Sequence, residues 1–145
     1  MGAGRSIEEQ YIKTGKANFT YKYYPILDRG NVDGESHWSA YAAECANRQG
    51  RFWEYHDKLF SAWQGENVGA FTKANLKKFA ADLKLDASAF NTCLDGDQTK
   101  AIVEADVAVG RKLNVGGTPT FFVNGQLIQP GLTFDAFVPY LQVQR

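Results

Sequence analysis

Two cysteines, two histidines and a proline set between threonines are the residues of this 145-residue chain whose types could carry chemistry. Cys45 and Cys93 lie 48 positions apart, which excludes a C-x-x-C dithiol and, with only two thiols, a four-thiolate zinc site within the chain. Each falls on the apolar side of a predicted helix. Two readings of these residues stand at this point: a pair of buried thiols behaving as small hydrophobes, or a disulfide joining two helices. Neither cysteine has a sequence neighbour that would activate a thiolate, so neither reads as catalytic. His37 and His56 are widely separated, with no adjacent cysteine or paired carboxylate at ligand spacing; they are expected at or near the surface, and no metal is assigned. Glu54 and Asp57 could be read as an acid–base pair, but that spacing on a helix is the ordinary solvated face. The aromatic set Phe52, Tyr55, Phe60 and Trp63 reads as core rather than as a ligand box.

The stretch "GGTPTFFVNGQ", Gly116 to Gln126, places Pro119 at the mouth of an apolar strand and follows it with Asn124-Gly125, a strong hairpin signal. On base rates alone the Thr118–Pro119 bond is trans, because only about 5 to 6% of X-Pro bonds are cis, and proline is tolerated at a strand start.

The elements that must position these residues follow from periodicity. "SIEEQYIKTGK" predicts a short helix stopped by Gly15, and "ANFTYKYYP" alternates Phe19, Tyr21 and Tyr23 against Thr20, Lys22 and Tyr24, which predicts a strand ended by Pro25. Ser36 is the expected cap of a helix with Trp38, Ala42, Cys45 and Gln49 on one face. "RFWEYHDKLFSAW" resumes helix with Phe52, Leu59, Phe60 and Trp63 on one side. Thr72 caps a helix burying Leu76, Phe79, Ala80 and Leu83, and a short helix faces Phe90, Cys93 and Leu94 inward. A longer helix carries the stripe Ile102, Ala105, Val109 and Leu113. After the hairpin a last helix is capped by Thr133, with Pro139 expected to kink or end it. The order is α, β, a block of four or five helices, β, β, α.

Composition narrows the function classes. Sixteen basic residues balance sixteen acidic ones, so no net field draws the chain to nucleic acid or to an anionic membrane surface. No apolar run approaches a membrane-spanning length, and "MGAGRSIEEQ" has no apolar signal-peptide region. With 44% hydrophobic residues and no repeat or linker, one domain over residues 1–145 is expected, with a helical insertion over about 36–95.

Three motifs, "QGRFWEYHDKLF", "FNTCLDGD" and "VGGTPTFFVNGQ", in this order and spacing, together with "TYKYYPIL", resemble the DsbA-like group of thioredoxin-fold thiol-disulfide oxidoreductases. The resemblance runs from Ser6 onward. It implies an α/β fold, a thioredoxin-like mixed β-sheet with an inserted α-helical subdomain. It also implies that the chain is N-terminally truncated, beginning inside the family's first long helix, because the family's first strand and C-x-x-C would precede Arg5. Without that cysteine pair the family's dithiol exchange is not expected of this chain. The resemblance turns Pro119 into the family's cis proline, with the Thr118 backbone binding an extended peptide by strand addition. For Cys45 and Cys93 it favours the structural disulfide, worth on the order of 4 kcal/mol in the chain-entropy model. The implied partners are extended or unfolded polypeptides and a redox partner protein, with no cofactor, no nucleic acid and no membrane insertion. The implied compartment is extracytoplasmic, periplasmic or cell-envelope. Two competing expectations are a redox-dead peptide-binding module and a fragment that forms a homodimer through an exposed sheet edge.

Overall fold

A computed structural model describes residues 3–29, 31–128 and 133–141. It divides into two compact units, one made of Met1–Lys22 with Val115–Arg145 and the other of Tyr23–Asn114. The second unit runs beyond 36–95 at both ends.

The Tyr23–Asn114 unit is helical: α2 (Glu35–Asn47), α3 (Phe52–Ser61), α4 (Lys73–Asp82), α5 (Ala87–Asp95) and α6 (Lys100–Lys112). Its core gathers Tyr41, Tyr55, Leu76, Phe90, Leu94 and Val103, with the small residues of α2 allowing close approach. Helix α4 begins as its sequence predicts, the Thr72 hydroxyl accepting from the Asn75 amide. Phe90, Cys93 and Leu94 of α5 are buried, again as expected.

Helix α2 starts differently. Ser36 is not its cap; Gly34 occupies that position, and the orphan amides of Ser36 and His37 donate instead to the Asp28 carboxylate, at 3.2 and 2.8 Å. Gly34 is required there, since a Cβ would come within 2.2 Å of Asp28 Cγ. Glu35 works in the opposite direction, its carboxylate accepting from the amides of Gly69 and Phe71 and so tying down the loop before α4.

Three expectations fail, two of burial and one of a strand. On α3 the fully buried aromatic is Tyr55, whose hydroxyl donates to the Leu76 carbonyl at 2.8 Å, whereas Phe60 and Trp63 are 66% and 62% exposed. On α6 the buried residues are Val103 and Val107, while Ile102, Val109 and Leu113 lie outward. Apolar residues occupy more than one face of that helix, so periodicity cannot choose among them. Residues 17–26 form no strand. Tyr23 is anchored among helices instead, its amide donating to Asp106 and its hydroxyl to Glu44 at 2.9 Å.

The other unit holds α1 (Ala3–Ile7), continued by a π-helical stretch Glu8–Ile12, then β1 (Phe121–Val123), β2 (Gln126–Ile128) and α7 (Phe134–Leu141). The expected mixed sheet is, among the described residues, a two-stranded antiparallel one, with Phe121 opposite Ile128 and Val123 opposite Gln126. Asn124 and Gly125 make the tight turn with φ of 51° and 80°, as an Asn-Gly hairpin requires. Phe121 sets its ring edge-on to Phe137, with centroids 4.9 Å apart, and Ile128 and Phe137 are buried. Tyr11 reaches the ring of Phe134. Helix α7 runs two residues past Pro139, so that proline does not end it at once.

Candidate functional site

The loop leading into β1 is built from residues that pack little. Gly116 and Gly117 have open space where a Cβ would stand. Thr118 and Pro119 are exposed, and the bond between them is cis. Among the described residues no hydrogen bond engages the Thr118 amide or carbonyl. The Thr120 hydroxyl donates to the Gly117 carbonyl at 2.5 Å, bridging the loop across Thr118 and Pro119. The site thus offers one backbone donor and one acceptor at the end of a short strand, the groups an incoming extended chain would pair with.

Cys45 and Cys93 come together in the helical unit as a disulfide, with no free cysteine remaining. Both are buried, at 1% and 5% exposure, so no thiolate is available for attack on a substrate disulfide. Thr99 lies over the bond, its hydroxyl 4.0 Å from Cys45 Sγ and donating to the Tyr41 carbonyl. The bridge joins α2 to α5 and acts as a staple.

The histidines do not share a site. His37, expected near the surface, is buried; its Nδ1 meets Asp28 at 2.8 Å and its Nε2 stands 3.8 Å from Glu104. Tyr41 lies beside it, and burial, reinforced by the Glu104 charge, pushes the phenol up to about 12. His56 sits on α3 among Phe52, Trp53 and Phe60, paired with Asp57. Among the described residues no group of three or more His, Cys, Asp and Glu is placed to hold a metal ion. Glu54 and Asp57 are exposed, and Glu54, bonded by its own backbone amide and by Arg51, is held below the usual carboxylate range. Sequence reasoning missed Asp28, Glu104 and Thr120. Asp28 stood in a loop with no local signal for its partner, whereas Thr120 follows the proline directly and its hydroxyl could have been noticed.

A two-unit fold in which a helical unit interrupts a strand-bearing one, with a proline loop opening the hairpin, defines a thioredoxin-like class with a helical insertion. The chain belongs to the thioredoxin family, whose model, described as Thioredoxin, matches residues 2–142. It is 33% identical over 121 residues to Na(+)/H(+) antiporter NhaA 3 of Salinispora tropica, covering 83% of this chain and 17% of that protein. It is 26% identical over 128 residues to the probable disulfide bond formation protein D of Bacillus anthracis, covering 86% of this chain and 57% of that one. The crystal structure of oxidised BdbD from Bacillus subtilis superposes with a TM-score of 0.74 at 23% identity, over 95% of this chain and 74% of that chain. The last likeness supports the fold. The chain therefore spans little more than half the length of the disulfide bond formation relative and a small part of the antiporter. No helix among the described residues is long and apolar enough to cross a membrane.

Proposed function

We propose that the chain serves disulfide bond formation in exported polypeptides and that its own contribution is to hold an extended polypeptide at the Thr118–Pro119 loop. The observation that carries this reading is the exposed Thr118 backbone, with neither its amide nor its carbonyl engaged among the described residues, directly before β1. Relatives named as disulfide bond formation proteins support the reaction class. Exchange itself needs a thiolate that attacks a disulfide sulfur, forms a mixed disulfide and expels the other sulfur as thiolate, and then a second thiol that resolves the intermediate. In this chain both sulfurs are already bonded to each other and buried. Residues 1–145 thus read as a substrate-holding domain whose two sulfurs are bonded to each other, and turnover calls for a dithiol on a redox partner or elsewhere. An oxidising, extracytoplasmic compartment suits a protein whose core contains a disulfide.

Binding of a fluorescein-labelled, unfolded and alkylated polypeptide, followed by anisotropy, tests the reading. Thr118→Pro deletes the backbone donor and is expected to weaken binding about tenfold, with its melting curve recorded to verify folding. No binding by the wild-type chain defeats the proposal, and so does robust insulin reduction by the chain alone, which would require a free, accessible thiol where Cys45 and Cys93 are bonded and buried. The two-stranded sheet, with Leu127 54% exposed, favours a second reading in which two copies pair along a strand edge. A monomer by sedimentation at micromolar concentration removes that second reading.

A further inference from the structure

Thr120 stands at the joint between the strand β1 and the loop that leads into it. On its C-terminal side Phe121 is fixed by ladder pairing with Ile128 and by its edge-on contact with Phe137. On its N-terminal side Gly116 and Gly117 touch nothing where a side chain would be, so packing at those two positions does not set the loop's path. What crosses the loop is the Thr120 hydroxyl, half-buried and donated to the Gly117 carbonyl at 2.5 Å. That bond engages the Gly117 carbonyl and, among the described residues, leaves the Thr118 amide and carbonyl unengaged. A receptor that recognises a chain through backbone groups gains affinity when those groups are already held in place, because ordering them is then not charged against binding.

We infer that Thr120 is a positioning residue for polypeptide binding: its side chain closes the Gly117–Thr120 loop and presents the Thr118 backbone to the incoming strand. This rests on the peptide-holding role proposed for the loop.

The experiment pairs Thr120→Val, which keeps the branched shape and removes the donor, with Thr120→Ser, which keeps the donor. Anisotropy with the same labelled polypeptide and amide hydrogen exchange over residues 115–120 are measured on each. The valine variant is expected to bind roughly three- to tenfold more weakly, the loss of one hydrogen bond, and to exchange faster in the loop. Protection of α2 to α6 should stay unchanged. The serine variant should return binding to within about twofold of wild type. Should the valine variant fold poorly, Thr120→Ala removes the same donor. Wild-type binding that the valine variant retains, or a serine variant no better than valine, overturns the positioning role alone. A wild-type chain that binds no polypeptide overturns the underlying reading and this inference with it.

Discussion

The helical unit and the strand-bearing unit of this chain differ in how much of their apolar surface is buried and in which backbone groups are left unengaged among the described residues. Every member of the main buried cluster, from Tyr23 to Val103, belongs to Tyr23–Asn114, which also holds the disulfide and the buried Asp28–His37 contact. Among the described residues, the strand-bearing unit has Ile128 and Phe137 as its buried apolar residues, and strands of three residues each. It nevertheless carries the loop with the unengaged backbone. A segment that must accept a partner strand has to keep backbone groups unpaired, and such segments come from the less protected end of a molecule. A helical insertion with its own core can be rigid without occupying the groups that a substrate needs.

The largest test of this division is removal of the staple. The Cys45→Ala/Cys93→Ala double variant opens a 48-residue separation and is expected to cost up to about 4 kcal/mol, a fall in Tm of roughly 15 °C for the helical unit. Hydrogen exchange should show lost protection in α2 and α5, with residues 115–128 unaltered; equal loss in β1 and β2 would break the comparison.

Next in size is Asp28→Ala. This carboxylate, 2% exposed, accepts from two helix-start amides and from the His37 ring. Its loss should cost about 2 to 4 kcal/mol by chemical denaturation, since the amides and the imidazole lose their acceptor together. A cost below 0.5 kcal/mol would mean that water replaces the carboxylate and that α2 does not depend on the loop before it.

These costs also mark where the sequence could be read and where it could not. The helix start at Thr72 and the turn at Asn124-Gly125 depend on residues a few positions apart, and the chain states them openly. The cap of α2 depends on Asp28, several residues upstream across a loop, and no local pattern names it. Face selection fails for the same physical reason. Ile102 and Val103 are adjacent and both apolar, and only the position of the surrounding helices buries one and leaves the other outside. On α3, Tyr55 reaches the interior because its hydroxyl finds the Leu76 carbonyl, while the larger Trp63 lies beyond the helix end. At the loop, the sequence made Pro119 visible, but which backbone groups stay unpaired depends on the hydrogen bonds around it.

The smallest effect concerns the surface between α3 and α4. Asp82 of α4 lies between Lys78, on its own helix, and Lys58 of α3, with Nζ atoms at 3.2 and 3.3 Å, and these two bonds hold its carboxyl below the usual range. A carboxylate whose folded value is depressed adds stability above its unfolded value of 3.8 and loses that contribution as pH falls through the lower folded value. The direction is therefore acid-destabilising. Because the group is solvent-exposed, salt screens it and the gain is small. Lys58→Ala should narrow the difference in Tm between pH 5 and pH 3 by about 1 °C at low salt and by nothing measurable at 1 M salt. A change several times larger, persisting in high salt, would show that this ion pair helps hold α3 against α4, so that surface charge as well as the buried cluster and the disulfide would set the stability of the helical unit.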